Sequence, residues 1–237
     1  MTLIEHLEEL RARLFKMVLA FLAGAVVSWF LYERILSVLV RPLEQLPVAT
    51  QIVKEGQIIV FSPPEGFFIR VKVVGFAAIV LALPVVLWQL WRFVAPGLYR
   101  HEKRYALPFV VVSLALFGLG AAVAFASLPQ ALKFLVALSG AEVVLVPRAS
   151  EYLSFLLLLI AGFGLTFEFP VALVVLSLIG VTSSRGLRKG RKVAYILILV
   201  AAAVITPTQD PITQLMLAIP LGLLYEGTII AVRLLKR

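Results

Sequence analysis

The feature that most constrains this chain is a series of apolar stretches too long for a soluble fold. Tyr105 to Leu128 contains no charged residue. A helix over that stretch reaches roughly 36 Å at 1.5 Å rise per residue, enough to cross a hydrocarbon core of about 30 Å. Comparable stretches run from Leu14 to Tyr32, Val73 to Trp91, Tyr152 to Ile179, Val193 to Ile205 and Ile212 to Val232. Only 15% of the residues are charged and 62% are hydrophobic, against about 25% charged in a typical soluble domain. The expected fold is therefore an all-α integral membrane protein with six transmembrane helices, forming a single membrane domain over residues 1–237.

The spans are uneven. The fourth, at roughly 42 Å, is longer than the membrane is thick and is expected to tilt or to kink at Pro170. The fifth, at roughly 20 Å, is too short to cross alone. The hairpin of the fifth and sixth spans is therefore expected to be short and to thin the bilayer locally or sit in a recess. Pro84 and Pro220 fall inside the second and sixth spans. They fit either a curved, concave bundle or ordinary helix packing.

The net charge is +9, and its distribution makes it a topology signal. The N-terminus (Arg11, Arg13, Lys16), the second connection (Arg92, Arg100, Lys103, Arg104), the fourth (Arg185, Arg188, Lys189, Arg191, Lys192) and the tail (Arg233, Lys236, Arg237) share one side of the membrane. They outnumber the basic residues of the other side by about two to one, which makes that side cytoplasmic. An even number of spans then puts both termini there. Nucleic-acid binding is not expected, because the positive charge is used by the topology.

Glu5, Glu8 and Glu9 stand where a cleavable signal peptide would have its basic region, so the first apolar stretch is expected to be retained. Leu3, Leu7, Leu10 and Leu14 recur at helical spacing, which predicts an amphipathic cytoplasmic helix over residues 1–13 lying on the membrane surface. Residues 33–65, broken by Pro42, Pro47, Gly56, Pro63 and Pro64, are expected to form an external cap.

Against a basic cytoplasmic face, the acids there are conspicuous: Glu5, Glu8, Glu9 and Glu102. Spacing alone leaves two readings. They are solvated surface charge, with Glu9 and Arg13 an i,i+4 pair, or they form an acidic pair that grips guanidinium, which carboxylates hold bidentately. Glu168 lies mid-span, where an ionisable group is costly and faces protein or a wet cavity. It suits partner docking, a proton-linked switch, a groove lining or a structural ion pair. Glu226, nearer the end of the sixth span, is expected to snorkel or to pair with Arg233 on the same helical face.

No catalytic chemistry is apparent. Cysteine is absent, and the two histidines, His6 and His101, fall at the cytoplasmic surface. That excludes clustered zinc ligands inside the bilayer and a serine–histidine dyad there. No phosphate-cradling GxxxxGK[ST] loop occurs. The chain is expected to be no enzyme and to need no cofactor or metal.

The cytoplasmic motifs resemble a known family. His6-Leu7-Glu8-Glu9-Leu10-Arg11-Ala12-Arg13 is similar to the HLxELRxR signature of TatC, the multi-spanning core of the twin-arginine protein translocase. Trp91-Arg92-Phe93-Val94-Ala95-Pro96-Gly97-Leu98-Tyr99-Arg100-His101-Glu102-Lys103-Arg104 resembles that family's WxFxxPGLYxxEKR loop. Ser62 to Phe68, Gly164 to Pro170 and Ile205 to Pro207 add further matches in the same order. Thr208-Gln209-Asp210-Pro211 departs by about one extra residue from the usual form.

The resemblance implies a concave, glove-like bundle in the bacterial cytoplasmic (inner) membrane that receives twin-arginine signal peptides of folded cargo. It implies self-association in a complex, small single-span partners of the TatA and TatB type, and export driven by the proton-motive force. By position, Glu9 and Glu102 match the carboxylates that recognise the paired arginines, with Arg11, Arg13, Phe93 and Arg104 around them. Glu168 and Pro170 match the intramembrane groove and partner-docking site, and Pro42 matches an external position linked to translocation. The competing expectation, from the intramembrane acids alone, is a proton-coupled secondary transporter using Glu168.

Overall fold

A computed structural model describes residues 3–44, 53–54, 57–94, 106–138, 148–206 and 211–235. Helix α1, Leu3–Phe30, is one continuous helix of 28 residues. The surface helix and first span expected as separate pieces are therefore joined end to end. The reason is local: Leu10 to Lys16 is Leu, Arg, Ala, Arg, Leu, Phe, Lys, mostly strong helix formers with no breaker among them.

At Leu31 the chain turns by 78° into α2, Tyr32–Glu44. Backbone bonds from Leu31 N–H to Val27 O (3.1 Å) and from Ile35 N–H to Leu31 O (3.0 Å) carry the chain through the bend. Helix α2 is amphipathic. Leu39 and Val40 are buried while Arg34, Ser37 and Arg41 are exposed. The hydroxyl of Tyr152 donates to Leu39 O at 2.9 Å, which pins α2 across the end of the bundle. Strands β1, Val53–Lys54, and β2, Gln57–Ile58, pair antiparallel beyond it. The region expected as an external cap thus contains a helix and a small hairpin.

Helix α3, Pro63–Val94 (32 residues), runs antiparallel to α1 and packs along it. Their closest approach is at Gly24, where a Cβ would stand 2.8 Å from the Ala78 carbonyl oxygen; only glycine permits it. Toward the α2 end, the Arg70 guanidinium lies over the rings of Trp29 (4.2 Å) and Tyr32 (4.9 Å), a cation–π clamp between the two helices.

Helix α4, Ala106–Leu138, packs along α5, Ala149–Phe167. Leu153, Leu156, Leu159, Phe163 and Phe167 of α5 are fully buried, so α5 occupies the middle of the bundle. The expected kink is present as a break at Glu168, before α6, Phe169–Leu178. Pro170 has no N–H to bond the Thr166 carbonyl, and Glu168 N–H bonds Leu165 O instead at 3.1 Å. Helix α6 ends at Gly180, φ 86°, with Val181 N–H bonded back to Leu176 O at 2.9 Å, an αL stop that glycine favours. Pro84 and Pro220, by contrast, lie inside unbroken helices.

Helix α7, Ser184–Lys189, is capped by Ser183 Oγ, which accepts from Gly186 N–H at 3.1 Å. It leads into α8, Arg191–Ile205, of only 15 residues, roughly 22 Å. The short fifth segment expected from the sequence is therefore present. The expectation of a short sixth is corrected. Helix α9, Pro211–Leu235, has 25 residues, roughly 38 Å, because Pro211 starts it at a position where a missing N–H costs nothing and it continues past Val232.

Among the described residues, α3, α4, the α5–α6 pair and α9 are each long and apolar enough to cross a membrane, and the bent α1–α2 pair makes a fifth. Four to five candidate spans stand where six were expected, and α8 is the difference. Its exposed residues Val193, Ile196, Leu197, Val200 and Val204 form an apolar face of the kind lipid tails cover.

Candidate functional site

The antiparallel α1–α3 pairing brings the start of α1 beside the end of α3, and a polar cluster forms there. Glu9 and Arg13 lie one turn apart on α1 and form an ion pair. Arg13 Nε donates to Glu9 Oε1 at 3.1 Å, and Nη2 donates to the same oxygen. Nη1, on the opposite edge of the guanidinium, donates to Gln89 Oε1 of α3 at 3.4 Å. The Arg13 and Glu9 side chains are only 11% and 22% exposed, and Gln89 is 7% exposed. Removing one partner would leave the other as an uncompensated buried charge.

Of the other residues expected at this site, Arg11 is exposed and Phe93 half-buried. Glu102 and Arg104 lie outside the described residues. Gln89 was not anticipated; the signal available was a lone amide in the apolar stretch Trp88-Gln89-Leu90-Trp91. Trp91 was quoted only as part of a motif. It is buried and its ring stands 4.7 Å from that of Phe109 on α4.

Glu168 occupies the α5–α6 break. Its carbonyl accepts from Ala172 N–H at 3.0 Å, so the backbone is satisfied. Its carboxyl lies beside the fully buried Ser113 hydroxyl, and neither Ser113 Oγ nor Glu168 Oε1 has a hydrogen-bond partner of normal length among the described residues. Two residues on, buried Pro170 lines an apolar cavity of about 370 Å³ with Trp91, Phe109, Val174, Leu178 and Leu224. The structure thus places Pro170 in the wall of this cavity, with Glu168 two residues before it at the helix break. Pro42 is buried inside α2, at the opposite end of α1 from Glu9.

Glu226, expected to snorkel or to pair with Arg233, is bonded instead to residues of another helix. Oε2 accepts from Arg191 Nη2 at 2.5 Å and Oε1 accepts from the Tyr195 hydroxyl at 2.7 Å. Both donors come from α8, and Tyr225 of α9 donates to Leu187 O of α7 at 2.7 Å. This network ties the short helix α8 to α9. No group of three or more His, Cys, Asp or Glu able to hold a metal exists among the described residues.

These features define a multi-spanning membrane protein with a carboxylate–guanidinium pair at one end and an intramembrane acid at a helix break. The family model for the Sec-independent protein translocase protein (TatC) matches residues 5–220. TatC of Aquifex aeolicus is 40% identical over 241 residues, spanning 100% of this chain and 97% of that protein. TatC of Frankia casuarinae is 40% identical over 236 residues, and this chain spans 65% of its length. The crystal structure of the twin-arginine translocase receptor TatC in DDM superposes with a TM-score of 0.77 at 37% identity, covering 96% of this chain and 99% of that one. The chain belongs to the TatC family, and it is a translocase subunit, not an enzyme.

Proposed function

We propose that this chain is the signal-peptide receptor and core of a twin-arginine translocase that exports folded proteins across a bacterial cytoplasmic membrane. In this reading both termini are cytoplasmic. Helix α8 is the fifth crossing, made in a locally thinned bilayer, and brings the total to six, while α2 with the β1–β2 hairpin caps the outer side. The Glu9–Arg13 cluster lies at the basic cytoplasmic face, where only carboxylates can hold a cationic peptide.

The observation that carries the proposal is the occupancy of Glu9. The carboxylate is held in a partly enclosed setting with a guanidinium already on it, so the site is built for the group that a twin-arginine peptide presents. Glu102 supplies the second carboxylate, with Arg11, Arg13, Phe93 and Arg104 around the pair. Two separated carboxylates distinguish paired arginine from single arginine, and from lysine, which lacks the planar fork. The apolar part of the signal peptide then lies along the groove walled by Pro170. Glu168 engages single-span partners of the TatA and TatB type there, copies of the chain associate in the complex, Pro42 acts from the external cap, and the proton-motive force supplies the energy.

Binding of an Arg-Arg signal peptide to the full chain tests this. Glu9→Ala and Glu102→Ala should each weaken binding by at least about tenfold, the size of one charge-assisted hydrogen bond, and spare a Sec-type control peptide. Unchanged binding in both variants would sink the assignment. Solute flux from liposomes holding this chain alone would favour a proton-coupled transporter instead.

A further inference from the structure

The guanidinium of Arg13 bridges two helices. One edge is committed to Glu9 on α1, and the opposite edge faces the Gln89 amide on α3 at 3.4 Å. A substrate arginine needs the same Glu9 oxygen that Arg13 occupies. For it to bind in the forked geometry that carboxylates offer guanidinium, Arg13 must yield at least one hydrogen bond. Arg13 cannot shed its charge, and it is too enclosed to recover that bond from bulk water. The Gln89 side-chain oxygen already accepts from Nη1 on the opposite edge, and so anchors Arg13 when a bond to Glu9 is given up.

Resting on the reading of Glu9 as a receptor carboxylate, we infer that Gln89 is a positioning residue for signal-peptide recognition: Arg13 stands in for a substrate arginine on Glu9, and Gln89 keeps hold of Arg13 when the substrate displaces it. The arrangement sets a threshold. An incoming cation gains only the difference between its own bond to Glu9 and the Arg13 bond it displaces. A second guanidinium meets that threshold with two parallel N–H donors, whereas an ammonium offers a point charge. The strength of the Gln89 contact then adjusts both affinity and discrimination between arginine and lysine.

Two substitutions act on this contact in opposite directions. Gln89→Glu offers Arg13 a stronger acceptor and releases Glu9. Gln89→Leu removes the acceptor and leaves Arg13 dependent on Glu9. The test is titration of the full chain, in nanodiscs, with fluorescent peptides bearing Arg-Arg or Lys-Lys, alongside Glu9→Gln. Gln89→Glu is expected to tighten Arg-Arg binding by about tenfold and to narrow the Arg-Arg preference over Lys-Lys. Gln89→Leu is expected to weaken Arg-Arg binding by about tenfold, both being the size of one charge-assisted hydrogen bond. Should that variant not fold, Gln89→Met, unbranched and of similar length, takes its place.

Changes of the same sign in the glutamate and apolar variants, or no change in either, would mean that Gln89 only packs α1 against α3, and the inference fails. If Glu9→Gln loses binding in that case, the receptor site stands and only the role of Gln89 is overturned. If Glu9→Gln binds as the wild type does, the receptor reading and the inference fail together.

Discussion

Glu168 and Glu226 are both glutamates set in long apolar helices, and the bundle treats them in opposite ways. Glu226 has each oxygen bonded, one to Arg191 and one to Tyr195, and the result is a fastening between α8 and α9. Glu168 sits at a helix break beside an apolar groove, with Oε1 buried and unbonded. Intramembrane acids are costly wherever they occur. When the surrounding helices supply partners, the acid stabilises the fold. When they withhold them, a carboxyl oxygen is left without a bond, as Glu168 Oε1 is.

The comparison is broken most directly by making both acids neutral. Glu168→Gln keeps the shape and removes the charge, and protein export should fall, since an acid at membrane depth is by default a functional site. The melting temperature of the purified chain should not fall, because no bond made by Oε1 is lost. An export assay and a thermal melt on the same preparation check this. Full export in Glu168→Gln would leave the unbonded oxygen without a function.

Glu226→Gln should give the reverse pattern: export close to wild type and lower stability. The pair is 41% and 33% exposed at its two side chains, so solvent and headgroups screen it, and the loss is about 1 kcal/mol rather than the cost of a buried pair. A double-mutant cycle of Glu226→Gln with Arg191→Gln measures the coupling directly. A coupling near zero would mean that α8 is held to α9 by packing alone.

What the sequence disclosed and what it withheld divide along the same line. Apolar length and proline position are local properties, so the membrane class, the break at Pro170 and the shortness of α8 were readable directly. Motif order carried the family, and it singled out Glu9 and Glu168. The 78° turn at Leu31 was not readable, since no glycine or proline marks it; burial of Leu39 and Val40 against the bundle supports it instead. Pairings between distant segments were hidden for the same reason. Arg13 meets Gln89 across 76 residues, and Glu226 reaches back 35 residues to Arg191 in place of the expected Arg233. Side-chain spacing on one helix cannot anticipate a partner supplied by another.

Ser113 provides the smallest and sharpest test. Its hydroxyl is fully buried and faces Glu168, yet it has no hydrogen-bond partner within normal length among the described residues. If the Ser113–Glu168 surroundings are held open for a partner, Ser113→Ala removes no existing bond. Stability should then change by less than about 0.5 kcal/mol, with export reduced less than in Glu168→Gln. A serine already bonded to the carboxyl would behave otherwise, because its loss would strand a buried polar group at a cost of about 1–3 kcal/mol. Denaturation of Ser113→Ala against wild type separates the two. A loss in the larger range would make Glu168 an acid satisfied within its own chain, like Glu226, and the contrast between them would disappear.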